Sequence, residues 1–265
     1  MHASPVPTMR GLAPDEQGLS THGRQTSAKP DRLFYTAAGV IFLALTVIGF
    51  RHYIFGGKHV DGTPIDASML ATVVAHSSSI FAWYVLFFVQ SLLIATRTRR
   101  LHMKLGWSVL VIASTIAITG PIVAIRSSRL DPDKVVADWT APQFLLIMYA
   151  EIALYAIFVA IAVLNRKRPR IHRPMMLLAC LPLLPGATGR IPLIASVFGF
   201  HTWMDIYGPV VSLGALLLLV RVAMTRRIDR EFALGYVAFA VLTVAVSRLA
   251  VTNVWVNLAG MILKP

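Results

Sequence analysis

"TRRLHMKLGW" (residues 98–107) stands between two long apolar runs, and its reading decides the fold. Lys or Arg at the bilayer centre costs about 2.5–3.5 kcal/mol on insertion scales, so the cluster of Arg97, Arg99, Arg100 and Lys104 marks a water boundary. The apolar runs on either side then read as membrane spans, since about 20 residues of helix cross a hydrocarbon core of about 30 Å. Seventy positions later "PRIHRPMMLL" (169–178) repeats the layout: a basic run, one apolar residue, a histidine, and another apolar run.

Working outward, the 265 residues are 56% hydrophobic and 14% charged, a membrane composition. Uninterrupted apolar stretches predict seven spans at about 33–54, 69–96, 106–126, 142–164, 174–199, 204–222 and 232–258. The expected fold is all-α, a polytopic membrane helical bundle of seven transmembrane helices over residues 33–265. Residues 1–32, rich in Ser, Thr, Pro, Gly and charge, read as a disordered cytoplasmic tail. The first apolar run is followed by Arg51 and His52 and lacks a small-residue cleavage site, so it reads as a span and not as a cleaved signal.

Orientation follows from the loops. Seventeen of the 25 Lys and Arg fall in the tail, in 97–104, in 165–173 and in 221–230, and six fall on the opposite side. That alternation predicts a cytoplasmic N-terminus in the inner (plasma) membrane. The net charge of +13 is thereby accounted for without nucleic acid, and the implied partner is the lipid bilayer. Cys180 is the single cysteine, which excludes a disulfide framework, a redox Cys-x-x-Cys pair and c-type haem attachment. No span contains a lysine for a retinal Schiff base, and no nucleotide-loop, hydrolase or His-Glu-x-x-His motif occurs.

Ionisable groups inside spans are expensive and therefore point to function. Away from the span ends, Glu151, Arg190 and Arg248 are the Asp, Glu, Lys or Arg residues within the spans, and counting along each helix sets them at one level slightly outside the midplane. His76 lies in the same half. His76, Trp83 and Gln90 recur every seven residues, a spacing that keeps them on one helix face. The reading is a polar cavity of Glu151, Gln90 and Trp83 with the two arginines, whose excess positive charge suits an anionic group; a structural Glu151–Arg190 ion pair is the simpler alternative. Span five, "CLPLLPGATGRIP" (180–192), should be broken at its prolines and glycines.

The histidines raise the haem question, because a helix bundle can present two imidazoles from facing helices. His102 and His172 form the candidate pair on the inner side, and His76 with His201, or with His52, on the outer. No helix carries two histidines thirteen or fourteen residues apart, as a standard dihaem bundle would. Interfacial contact with lipid headgroups is the competing explanation for His102 and His172. No dedicated metal-ion motif occurs, so cofactor-binding residues are taken as His76, His102, His172, His201, Arg190 and Arg248, with haem b as the candidate cofactor.

The order His76, Trp83, Gln90, then "RRLHMKLG", then "IHRPMM", then an arginine in the following helix, resembles a family of uncharacterised bacterial multi-spanning membrane proteins. The resemblance covers about residues 70–195 and matches His76, Gln90, His102, Gly106, His172, Met175 and Arg190. The chain departs from it at Met103 and Pro174, where basic residues are usual. A looser similarity in histidine placement links it to cytochrome-assembly and b-type haem membrane proteins, which implies redox or haem handling. Transport or sensing of a small anionic solute, and a ligand-free subunit of another membrane complex, are the alternatives.

Overall fold

The computed structural model describes residues 29–58, 62–199 and 202–264. The tail expected over residues 1–32 lies outside them apart from the start of the first helix, and His201 lies outside as well. The fold is all-helical: α1 (Lys29–Gly49), α2 (Arg51–Gly56), α3 (Ala67–Ala95), α4 (Arg99–Leu105), α5 (Ser108–Leu130), α6 (Ala141–Leu164), α7 (Pro169–Leu178), α8 (Pro185–Thr188), α9 (Pro192–Phe198), α10 (Thr202–Thr225), α11 (Arg230–Ala250) and α12 (Asn253–Leu263). Two-residue strands β1 (Val135–Val136) and β2 (Trp139–Thr140) form a hairpin before α6. Its turn residues Ala137 and Asp138 both have positive φ, 49° and 64°, as the tightest hairpin turn requires.

Five helical stretches are long and apolar enough to cross a membrane: Ala67–Ala95, Arg99–Leu130 (α4 and α5 together), Ala141–Leu164, Thr202–Thr225 and Arg230–Ala250. Their outward faces are apolar, with Val111, Ile118, Leu219 and Val241 at least 60% exposed. Water would oppose such an exterior and hydrocarbon accepts it. Local signals set the helix starts. Asp66 accepts from Ser68 N at 2.7 Å to open α3, and Asp229 accepts from Phe232 N at 3.3 Å to open α11. Thr140 and Gln143 form a reciprocal capping box at α6.

Of the seven expected spans, the first and the fifth are not among these five, and the seventh is shorter than expected. The first ends at Gly49, and α2 follows as a separate turn. The seventh stops at Ala250, because Thr252 turns out of the helix and caps α12 by accepting from Trp255 N. Both ends of α12 are held at one end of the bundle: Trp255 Nε1 donates to Pro142 O at the start of α6, and Arg129, in the last turn of α5, donates to Ile262 O and Lys264 O. So α12 lies across that end and does not prolong α11. The fifth is broken as expected, into α7, a 3₁₀ turn at Leu181–Leu183, α8 and α9.

That broken segment is the most deeply enclosed part of the chain. Leu177, Leu178, Ala179, Cys180, Leu181, Leu184 and Ala187 have no exposed surface, which is the condition under which irregular backbone is tolerated at membrane depth. Tyr84 Oη donates to the Cys180 carbonyl at 3.0 Å, replacing a helical bond lost at the break. α1 packs directly on α8: a Cβ added to Gly49 would stand 2.8 Å from Ala187 Cα, so only glycine fits there.

α6 is central, in contact with α5, α7, α11 and α12. Three basic segments, 97–104, 165–173 and 221–230, meet at the other end of the bundle beside the start of α1. Arg166 lies 5.0 Å over the Trp107 ring, Arg170 is 3.6 Å from Glu231, and Arg221 pairs with Asp229 at 3.5 Å while facing Phe34 and Tyr35.

Candidate functional site

The repeated phrase that opens the sequence analysis has a geometric counterpart. His102 is the fourth residue of α4 and His172 the fourth residue of α7, both at the basic end. Each short helix follows a turn that closes a long one, α3 or α6, so two similar corners present equivalent positions. The two imidazoles come together there, with ring centroids 6.5 Å apart and planes at 84°.

The second nitrogen of each ring is held from behind. His172 Nδ1 donates to Ala162 O at 2.9 Å, which leaves the Nε2 lone pair free. Beside His102 the buried Gln90 amide has one orientation that satisfies all its neighbours. In it Nε2 donates to His102 Nδ1 at 2.5 Å and to His102 O at 3.2 Å, and Oε1 accepts from Gly106 N at 2.9 Å. The His102 proton then sits on Nε2. Turning the amide would set Oε1 against Nδ1, draw the proton there and free Nε2 as a ligand atom. Burial holds the His172 imidazole below its ordinary range, and Arg173 beside it acts in the same direction, against the opposing bond from Ala162 O. Arg99 and Arg173 lie close enough to His102 to act on it electrostatically.

The seven-residue stripe on α3 faces protein along its length. Gln90 is buried at the basic end and Trp83, 1% exposed, sits at mid-helix. His76 is half-buried toward the other end. Trp83 meets Tyr155 of α6 edge to face, centroids 4.8 Å apart. His76 Nδ1 donates to Thr119 Oγ1 at 2.9 Å, since that hydroxyl spends its own proton on Thr115 O. Gly120 makes room for this contact, as a Cβ there would stand 2.7 Å from Ile152 and 3.3 Å from His76 Cε1.

The cavity expected around Glu151 is only partly assembled. Glu151 lies at the centre of the buried face of α6, between Ile147, Leu154, Tyr155 and Phe158. Neither arginine joins it. Arg190 follows the end of α8, and its guanidinium folds back to donate to Gly186 O and lies 5.0 Å over Phe50 and 5.4 Å over Tyr53. A carbonyl exposed by the broken helix and two ring faces thus give this cation local partners. Arg248 is exposed in the last turn of α11, where a cation complements the helix dipole. The expected sharing of one level by Glu151, Arg190 and Arg248 is therefore corrected: no ion pair joins Glu151 to either among the described residues.

Sequence reasoning passed over Tyr84, Tyr155 and Tyr207, which are fully buried in the bundle. Their hydroxyls, inside otherwise apolar spans, were the available signal, and Tyr155 stands one turn from Glu151. Among the described residues no group of three or more His, Cys, Asp or Glu is placed to hold a metal ion. Comparison with family models, with curated proteins and with solved structures finds no match.

Proposed function

We propose that this chain is a seven-span protein of the inner membrane, with its N-terminus in the cytoplasm, that holds a b-type haem between His102 and His172 for redox or haem-handling work. The topology rests on the five long apolar stretches together with α1 and the broken α7–α9 segment. It rests also on the gathering of the basic segments at one end, which the positive-inside rule makes cytoplasmic.

The haem reading is carried by the histidine pair. Two imidazoles binding one metal from opposite sides, at metal–nitrogen distances near 2.0–2.1 Å, have ring centroids about 6.4 Å apart, and these stand at 6.5 Å. A bare zinc ion would ask for three or four protein donors, whereas a haem brings four nitrogens and asks for two axial ligands. Two histidines with no third His, Cys, Asp or Glu donor beside them among the described residues suit the haem. The bond from His172 Nδ1 to a backbone carbonyl is the usual support behind a ligating imidazole. Arg99 and Arg173 supply cations for the propionates. The bound group would supply one-electron chemistry; the chain's own part is to fix two ring planes and pair two carboxylates.

The test is the absorption spectrum of protein purified after expression with ample haem. A Soret band that is lost in both His102→Ala and His172→Ala supports the reading. A colourless protein that co-purifies with another membrane complex would replace it with the assembly-subunit reading.

A further inference from the structure

At the basic end of the bundle the turn between α6 and α7 lines a cleft, whose reading rests on the membrane placement of the chain and not on haem. The cleft has a volume of about 590 Å³ and is lined by Val163, Leu164, Asn165, Arg166, Lys167 and Arg168. Its turn is held by its own bonds. Arg166 N donates to Val163 O at 3.2 Å, Arg168 N to Asn165 O at 2.7 Å, and Asn165 Nδ2 to Ile161 O at 2.9 Å.

Arg166 is placed from across the corner, with its guanidinium 5.0 Å over the ring of Trp107, the residue that opens α5. Such stacking fixes the guanidinium plane and leaves its edge N–H groups to a ligand. Arg168 opens α7, whose N-terminal dipole adds charge of the same sign. No acid offsets these cations. Glu231 is 3.6 Å from Arg170 and Asp229 is 3.5 Å from Arg221, and no ion pair reaches Arg166, Lys167 or Arg168 among the described residues.

The other wall is apolar. Leu164 is 84% exposed, and Ile161 and Ile157 stand one and two turns behind it on the same face of α6, 36% and 52% exposed. Trp107, 59% exposed, is the kind of amphipathic ring that sits at headgroup level. Three cations at the mouth of an apolar track that runs toward the bilayer interior match an anionic amphiphile. A soluble phosphate would leave the leucine bare, and a zwitterionic lipid would bring its own ammonium against the three cations.

We infer that this cleft binds an acidic phospholipid. The phosphate oxygens accept from Arg166 and Arg168 with Lys167 as a further point charge, and one acyl chain follows Leu164, Ile161 and Ile157.

The probe is phosphatidylglycerol brominated on its acyl chains, which quenches a tryptophan at contact range, with brominated phosphatidylcholine as the zwitterionic comparison. The purified full chain is reconstituted in phosphatidylcholine vesicles, and the quenching due to Trp107 is the difference between wild type and Trp107→Phe. Brominated phosphatidylglycerol should bind beside Trp107 about tenfold or more tightly than brominated phosphatidylcholine, since each basic residue at an acidic headgroup contributes about fivefold. Arg166→Gln, Lys167→Gln and Arg168→Gln together should abolish that preference. The same change of three charges at Arg226, Arg227 and Arg230 should leave it within about twofold. The inference is overturned if wild type shows no preference, if the first triple variant keeps it, or if the second loses it equally. It is also overturned if inorganic phosphate removes the preference where sodium chloride of equal ionic strength does not, which would assign the cleft to a soluble anion. Should the first triple variant not fold, the wild-type comparison and the phosphate competition decide.

Discussion

Replacing Gln90 with leucine separates the support of the histidine pair from the stability of the fold. Gln90 is 8% exposed, so leucine fills its place with little change in volume. Of the three bonds of the amide, two have substitutes. Gly106 N already donates to His102 O at 2.8 Å, and His102 O therefore keeps a donor. Only the contact with His102 Nδ1, 2.5 Å in the native protein, is lost outright. One stranded buried group costs about 1–3 kcal/mol, which a bundle of this size survives. The effect on ligand binding should be clearer, since the ligating tautomer of His102 needs the turned amide, whose Oε1 accepts from Nδ1–H, and losing the partner behind a ligating imidazole weakens binding about 10–100-fold, equivalent to about 1.4–2.7 kcal/mol. Haem titration of the purified variant, followed by absorbance, measures this, with Gln90→Glu as the companion because a carboxylate fixes the proton on Nδ1. Leucine should weaken haem binding and glutamate should retain it. A leucine variant that melts as wild type and binds haem within about twofold would refute the assignment of Gln90 as a positioning residue.

Other outcomes follow from the packing. Gly49→Val forces α1 away from the Ala187 backbone and should destabilise by about 1–3 kcal/mol or more, read as a fall in melting temperature in detergent. Tyr84→Phe strands the Cys180 carbonyl at the helix break; a loss of about 1–3 kcal/mol is expected, with the peptide after Cys180 more open to hydrogen exchange. For His172, whose imidazole burial holds below its ordinary range near 6.5, the unfolded chain takes up a proton that the folded one resists. Its contribution is whole above pH 6.5 and is lost as pH falls toward the lower folded value. Unfolding midpoints measured across that window should fall on acidification, and less so in His172→Gln.

Five long apolar helical stretches were legible because hydropathy acts along the chain, where sequence is read. Even the histidine pair was legible in this way: the echo between 98–107 and 169–178 became two corners with His102 and His172 at matching positions. What failed was inference about the direction a side chain takes. Counting residues gave Glu151 and Arg190 similar depth, but Arg190 follows three short segments broken by proline, and such a break resets the azimuth. Arg248 was set too deep because Thr252, a polar residue in an apolar run, ends the helix as a cap. The tyrosines were missed for a related reason. A hydropathy reading treats Tyr155 and Tyr207 as apolar ballast, and only packing shows their hydroxyls buried without a hydrogen-bond partner.

The central claim, that His102 and His172 share a haem iron, has its most direct test in the electron paramagnetic resonance of the ferric, haem-loaded protein. Bis-imidazole iron is low-spin, and its anisotropy reports the angle between the two ring planes. With those planes at 84°, the account predicts the strongly anisotropic low-spin signal of perpendicular ligands, abolished by His102→Ala and by His172→Ala. A high-spin spectrum, a rhombic signal of near-parallel rings, or a low-spin signal that survives both substitutions would contradict it.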